Sequence, residues 1–256
     1  SAATATPDGQ AGGSGMSSSS SWLAFQIGAR EHYAIPRALQ RLGLLHHLYT
    51  DSWVPTGSAL ARFVPSKGLA GRFHPDLRFA SVRAPWLGCL PFELRTRVAG
   101  PPSGWPRTMA RNAWFQRWAV RQLSRLQQPG LNVFSYSYAA RSIFRLARER
   151  GYPCVLGQID PGPEEEQLVI AEHRRYPHLA GSWQPAPAQY WQHWQEELEL
   201  ADRIVVNSPW SQRCLQRQGV PASKLRLIPL VYEPSVERAP AQSAPASPFQ
   251  LLFLGT

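Results

Sequence analysis

The chain has 256 residues, 43% of them hydrophobic, and a formal net charge of +10 at pH 7. This length allows one large domain or two small ones with a hydrophobic core, and no apolar run approaches the ~20 residues that span a bilayer. The three cysteines, Cys89, Cys154 and Cys214, have neither the spacing of metal ligands nor that of a disulfide framework. We therefore expect buried or idle thiols in a reducing compartment.

The whole excess of positive charge lies in the first half of the chain. Residues 1–130 contain 15 Lys and Arg against 5 Asp and Glu, whereas residues 131–256 contain 12 of each kind. Such asymmetry predicts a surface that meets an anionic partner, which could be a membrane, a nucleic acid or a phosphorylated substrate. Because no helix-turn-helix, zinc or RNA-binding motif is present, we expect no nucleic-acid partner.

A disordered leader is predicted for residues 1–20, which are small, polar and rich in glycine. From residue 22 the pattern alternates between short apolar runs and amphipathic segments. The apolar runs predict strands at 22–27, 44–50, 77–84, 131–137, 153–159, 203–208 and 225–230. The amphipathic segments predict helices at 30–43, 107–126, 139–151, 164–176 and 188–201, with a short helix after Pro209. This alternation predicts an α/β fold with a parallel, Rossmann-like sheet and helices on both faces.

The end of the chain predicts a domain boundary. We expect one domain over residues 21–233, because the alternation stops there. Residues 234–248, PSVERAPAQSAPASP, have the composition of an interdomain linker. Residues 249–256, FQLLFLGT, then predict the first strand of a second sheet.

The most distinctive stretch is LADRIVVNSPWSQRCLQRQGVPASKLRLIPL at residues 200–230. With the elements around it, this stretch resembles the N-terminal half of a family 4 glycosyltransferase, an enzyme of the glycosyltransferase group 1 type with two Rossmann-like domains in the GT-B fold. The likeness is close over residues 197–230, weaker over 22–42 and weakest over 51–125. It implies that residues 21–233 are the acceptor-side domain and that the donor-binding domain is truncated after its first strand.

The resemblance implies a hexosyltransferase that moves a sugar from a nucleotide-sugar donor to a hydroxyl acceptor, either lipid-linked or a polysaccharide, with retention of anomeric configuration. It implies no cofactor and no metal, since the nucleotide sugar is a substrate. The chain alone is expected to be inactive, because the Glu-x7-Glu pair of the donor domain lies beyond it; the spacing from Glu164 to Glu172 is interpreted as accidental. The alternative is a non-catalytic membrane- or carbohydrate-binding module.

The loop after the first predicted strand contains Gly28, Arg30, Glu31 and His32. Parallel α/β sheets bind ligands at the carboxyl ends of their strands, glycine lets a backbone approach closely, and a helix N-terminus favours phosphate. We predict that Gly28, Arg30 and Glu31 bind substrate and that His32 is catalytic. An ordinary strand-to-helix turn is the alternative.

Other polar residues close strands at the same predicted edge. Asp160 could orient an acceptor hydroxyl or take its proton, so we predict a catalytic role; a helix cap is the alternative, and in enzymes of this type the donor phosphate can itself receive the proton. Ser135 and Tyr136 are predicted to bind sugar hydroxyls, with plain strand-end polarity as the alternative. Ser208 matches the family motif and is predicted to bind substrate, although Ser-Pro is also a natural helix start.

The basic helix predicted at 107–126 has two faces when it is projected at ~100° per residue. One face is apolar, and the other carries Arg107, Arg111, Trp114, Trp118, Arg121 and Arg125. Arginines with exposed tryptophans suit an anionic lipid surface, which predicts a cytoplasmic protein at the inner face of the membrane. The alternative is that the tryptophan rings pack beneath residues 51–105.

Overall fold

The computed structural model describes residues 21–55, 72–85, 90–99, 103–179 and 181–230. The predicted leader at 1–20, linker at 234–248 and last strand at 249–256 lie outside these residues. The described part forms a sheet of seven strands in the order β3-β2-β1-β4-β5-β6-β7, and every pairing is parallel. The strands are β1 (Ser21–Gln26), β2 (Leu45–Thr50), β3 (Val82–Arg83), β4 (Leu131–Tyr136), β5 (Cys154–Gly157), β6 (Arg203–Val206) and β7 (Leu225–Leu227).

The helices connect these strands as crossovers, as parallel pairing requires. They are α1 (Ala34–Arg41), α2 (Leu90–Ala99), α3 (Gly104–Ser124), α4 (Arg141–Glu149), α5 (Pro163–Arg175), α6 (Ala188–Leu200) and α7 (Pro209–Arg217). None of the helices in the described ranges combines the length and apolar character needed to cross a bilayer.

The strand order reverses between β1 and β4. From β1 the chain runs outward through β2 to β3, then returns to place β4 against the other side of β1 and continues outward to β7. The loops after β1 and β4 therefore diverge at the carboxyl end of the sheet, and ligands of open α/β sheets bind in the crevice at such a reversal. This topology confirms the predicted Rossmann-like fold.

The central strand β4 shows how the sheet is buried on both faces. Leu131 and Val133 point into a core packed by α3, α4 and α6, whereas Phe134 and Tyr136 point to the opposite face, where Tyr33 and Leu77 cover the sheet. Successive strand side chains alternate between faces, so a strand buried on both sides needs apolar residues at nearly every position. This is why four of the six residues of β4, Leu131, Val133, Phe134 and Tyr136, are apolar or aromatic.

Three departures from the predicted elements are the largest. The helix predicted from residue 30 begins at Ala34, because Glu31, His32 and Tyr33 have left-handed backbone angles. The strand predicted at 77–84 is reduced to Val82–Arg83. Helix α2 lies within a region predicted to be irregular. Phe92 is the one buried residue among its described side chains, so its pattern carries a weak helical signal.

Candidate functional site

Hydrogen bonds join neighbouring loops along the carboxyl edge of the sheet. Tyr136 Oη, at the end of β4, donates to Glu31 Oε2 in the loop after β1 at 3.1 Å. Tyr138 Oη, just beyond β4, donates to Asp160 Oδ1 in the loop after β5 at 2.6 Å. Asn207, after β6, donates through Nδ2 to a backbone carbonyl of the β5 loop at 3.4 Å. The loops after β1, β4, β5 and β6 are therefore tied into one rim.

The loop after β1 is anchored by a carboxylate that the sequence reasoning did not single out. Asp51 follows β2 directly and is fully buried. Its Oδ1 accepts the Gly28 N–H at 2.8 Å and Arg72 Nη1 at 2.9 Å, and its Oδ2 accepts Arg111 Nη2 at 2.7 Å. Two guanidinium groups thus neutralise the buried charge, and the backbone bond places Gly28. The signal that could have identified Asp51 is the one used for Asp160, a carboxylate at the end of an apolar strand.

The same loop has an unusual backbone conformation. Glu31, His32 and Tyr33 have φ values of 50°, 48° and 62°, three consecutive left-handed residues without a glycine among them. Each such residue costs about 1–2 kcal/mol relative to the right-handed conformation. Backbone strain of this kind persists only where the surrounding structure holds it, and it clusters at functional sites.

Two tyrosines position the carboxylates of the rim. Burial, with the nearby Glu31 carboxylate, raises the pKa of Tyr136, and burial with Asp160 raises the pKa of Tyr138. Both phenols therefore stay protonated and act as donors at neutral pH. Arg30 adds a guanidinium 5.9 Å from the centroid of the Tyr136 ring.

Asp160 has a defined orientation. Besides the Tyr138 hydroxyl, its Oδ1 accepts the Gly162 N–H at 2.8 Å and Gln158 Nε2 at 3.3 Å. Gln158 is held in turn by the Trp194 indole, whose Nε1 donates to Gln158 Oε1 at 3.1 Å. A buried aromatic side chain of α6 thus supports the carboxylate through one intermediate residue.

The predicted site residues separate into two groups. Gly28, Arg30, Glu31, His32, Tyr136 and Asp160 lie together on the rim, and the side chains of Arg30, Glu31 and His32 are exposed there. Ser135 is fully buried, and its hydroxyl donates to a backbone carbonyl at 3.4 Å. Ser208 is the N-cap of α7, and its Oγ accepts the Ser211 N–H at 3.1 Å. Both serine hydroxyls have internal partners, so their contact with a substrate stays a prediction.

The basic face of α3 is less open than the helical projection predicts. Trp114 packs against Phe92 with ring centroids 5.5 Å apart, and Trp118 packs edge-on against Tyr49 at 6.0 Å. Both indoles are half-buried beside the core, so the expectation of two exposed tryptophans is wrong. Arg111 is also engaged, by Asp51.

Arg121 and Arg125 are the members of the predicted basic face that are exposed, whereas Arg107 is half-buried. Trp114 fits the alternative, because Phe92 belongs to residues 51–105, whereas Trp118 packs against Tyr49 of β2, outside that region. The membrane contact of this face stays a prediction.

A second buried carboxylate, Glu197, organises the other side of the β4 loop. It lies on α6 and accepts backbone N–H bonds from Tyr138 at 2.6 Å, Ala140 at 2.8 Å and Arg141 at 3.0 Å. It thereby caps the N-terminus of α4 from a different helix. Burial raises the pKa of Glu197 to about 7, although the three N–H bonds act in the opposite direction. The resemblance at 197–230 includes this residue without revealing what it contacts.

A cleft of about 720 Å³ adjoins the rim. It lies between α1 and the face of the sheet formed by β4, β5 and β6, and the residues after β7 close its far side. Among its lining residues are Glu31, His32, Ile35, Ala38, Phe134, Tyr136, Gln158, Val205, Asn207, Ile228 and Leu230. The predicted loop residues Glu31 and His32 thus face a cavity of the size that binds small molecules. Within the described ranges, no group of three or more His, Cys, Asp or Glu side chains is arranged to hold a metal ion.

Solved structures resemble this fold at low sequence identity. TcCGT1 in complex with UDP matches with a TM-score of 0.51 and 12% identity, covering 86% of this chain and 53% of its own. A UDP-glucosyltransferase from Polygonum tinctorium capable of glucosylating indoxyl matches with a TM-score of 0.44 and 14% identity, covering 88% of this chain and 55% of its own. The chain therefore spans about half the length of these structures. The first likeness supports the fold alone.

The family is established by the sequence itself. No curated protein matches the chain closely. The model of glycosyltransferase family 4, however, matches residues 33–235, which is most of the chain and includes the strand–helix–strand unit at 200–230. The chain belongs to glycosyltransferase family 4.

Proposed function

We propose that this chain is the acceptor-side half of an enzyme that transfers a sugar from a nucleotide-sugar donor to a hydroxyl acceptor. The observation that carries the proposal is the bonded rim, in which Glu31 and Asp160 are each held by a tyrosine at the carboxyl edge of the sheet. Membership of the family supplies the reaction class, and the rim is where we propose that the acceptor binds. Because the chain spans about half of the structures it matches, donor binding is assigned to the remaining half of the full-length protein.

Asp160 is proposed to orient the acceptor hydroxyl and to take its proton. Its bonds to Tyr138 and Gly162 end on Oδ1, and they hold the carboxylate in one orientation for a hydroxyl approaching the rim. Fixed orientation of this kind lowers the entropic cost of bringing two reactants together. The exposed His32 is proposed to be a second catalytic residue besides Asp160. Gly28, Arg30 and Glu31 are proposed to contact the substrate. Retention of anomeric configuration is proposed from the family alone.

The test uses the full-length protein with UDP-glucose, UDP-galactose and GDP-mannose as donors, and measures release of the nucleoside diphosphate together with sugar transfer. We expect Asp160→Asn and His32→Ala each to reduce turnover at least tenfold. The matched controls are Asp202→Asn and His178→Ala, which change the same residue types away from the rim, and these should keep wild-type rates. Unchanged turnover in both rim variants would remove them from the site.

A peripheral contact with anionic membrane is a second proposal, and it rests on the charge of the first half and on α3. Because Arg111 is engaged by Asp51, the informative residues are the exposed Arg121 and Arg125. Replacing both by Gln should weaken cosedimentation with phosphatidylserine vesicles in low salt, since each arginine near such a surface contributes about 1 kcal/mol. The control replaces the exposed Arg174 and Arg175 of α5 by Gln. Equal vesicle binding by the two variants would contradict the membrane contact. If the chain binds vesicles while the full-length protein transfers no sugar, the result would favour the non-catalytic binding module.

A further inference from the structure

The walls of the cleft beside the rim are mainly apolar. Ile35 and Ala38 of α1 form one side, and Phe134 of β4 and Val205 of β6 form the floor. Gly157 lies on β5, between those two strands. A methyl group added there would lie 2.8 Å from the Phe134 ring, so the ring packs directly against the glycine backbone. The floor is thus a continuous apolar surface.

The far side of the cleft is apolar as well. Ile228 and Leu230 line it, and their side chains are 51% and 58% exposed. Exposed apolar side chains that join the lining of one cavity indicate a binding surface more strongly than isolated ones do. The cleft therefore offers apolar contacts from α1, from the sheet and from the segment after β7.

The polar groups of the cleft are restricted in position or already engaged. Glu31, Gln158 and Asn207 follow the strands β1, β5 and β6, so they lie at the carboxyl edge of the sheet. Arg37, on the α1 side, is 5% exposed and forms an ion pair with Asp76 at 3.0 Å. His74 also lines the cleft, and its Nδ1 accepts the Asp76 N–H at 3.2 Å. The cleft thus presents polar groups beside the rim and apolar groups along its walls.

We infer that the acceptor is an alcohol whose hydroxyl is attached to a contiguous apolar body, such as an aryl or a prenyl group, and that this body lies in the cleft. The inference rests on the proposed function and deepens it. A polysaccharide would place several hydroxyl groups against Ile35, Phe134 and Val205, where they would lose water without gaining hydrogen-bond partners. An apolar body has no polar groups to desolvate there, and its hydroxyl is directed to the end of the cleft beside Gln158, whose Nε2 donates to Asp160 Oδ1 at 3.3 Å.

The experiment measures binding without a donor, so that its result does not depend on transferase activity. Geraniol and 2-naphthol serve as prenyl and aryl probes, and methyl β-D-glucopyranoside and maltose serve as polar probes. Binding to the protein is followed by methyl NMR shifts of Ile35 and Val205. We expect at least one apolar alcohol to bind at least tenfold more tightly than both sugars, and the stronger of the two identifies the class of apolar body.

Two opposite changes test the location. Ala38→Phe fills the cleft from α1, and Leu230→Ser removes apolar surface from its far side. Each change should reduce the affinity for the preferred alcohol at least fivefold. The controls are Ala171→Phe and Leu168→Ser, which alter exposed positions of α5, and they should bind as the wild type does. Tighter binding of the sugars, or equal losses in the controls, would overturn the inference. Transfer to a polysaccharide by the full-length enzyme, with no binding of either alcohol, would overturn it while leaving the proposed function intact.

Discussion

Asp51→Asn tests whether a buried ion cluster holds the loop after β1. The asparagine keeps the size of the side chain and can still accept the Gly28 N–H, but it removes the charge that pairs with Arg72 and Arg111. Breaking a fully buried pair costs about 3–5 kcal/mol. Asp51 is 0% exposed while the two arginines are 18% and 33% exposed, so water offsets part of the loss and we expect about 2–4 kcal/mol.

The assay is urea unfolding followed by circular dichroism, with Asp202→Asn as the control. Asp202 also accepts a backbone N–H and pairs with an arginine, Arg148, but it is 44% exposed, so its variant should lose less than about 1 kcal/mol. The double variant Asp51→Asn with Arg111→Gln should lose less than the sum of the two single changes, because the partners belong to one cluster. The reasoning would be refuted if Asp51→Asn lowered the free energy of unfolding no more than the control does. Strict additivity of the effects of Asp51→Asn and Arg111→Gln would refute it as well.

The remaining predictions concern packing and pH. Gly162→Ala should reduce the free energy of unfolding by about 2–5 kcal/mol, because the new methyl group would lie 2.7 Å from the Trp194 ring at a φ of 74°. The control is Gly219→Ala, at a φ of 89° with open space around it, which should reduce the free energy of unfolding by only about 1 kcal/mol. Equal reductions in the two variants would argue against close packing of Trp194 on Gly162. Burial, His46 and Arg83 lower the pKa of His47 to about 4. A base with a lowered folded-state pKa contributes stability above its ordinary value of 6.5 that is lost as the pH falls toward 4, so His47→Gln should show a smaller drop in stability than the wild type between pH 7 and pH 5, and an unchanged drop would contradict the assignment.

The arrangement of strands and helices could be predicted from the chain because it depends on local periodicity. Each core strand needs apolar residues on both faces, and each helix needs one apolar face, so β4, α6 and the unit at 200–230 are visible as patterns. The position of Asp160 at a sheet edge follows from the same reading, since parallel strands all end on one side. The family signal in residues 200–230 added the reaction class.

Contacts between distant residues were decided by tertiary structure. No glycine in the sequence marks the left-handed conformation of Glu31 to Tyr33. The loop is held at Gly28 by Asp51, at Glu31 by Tyr136 and at Tyr33 by burial. The partners Asp51 and Arg111 are 60 residues apart, so helical projection placed Arg111 on an open face although it reaches into a buried cluster. Glu197 likewise caps a helix other than its own. Periodic burial is encoded residue by residue along the chain, whereas a charge or a strained turn is stabilised by whichever groups the completed fold brings beside it.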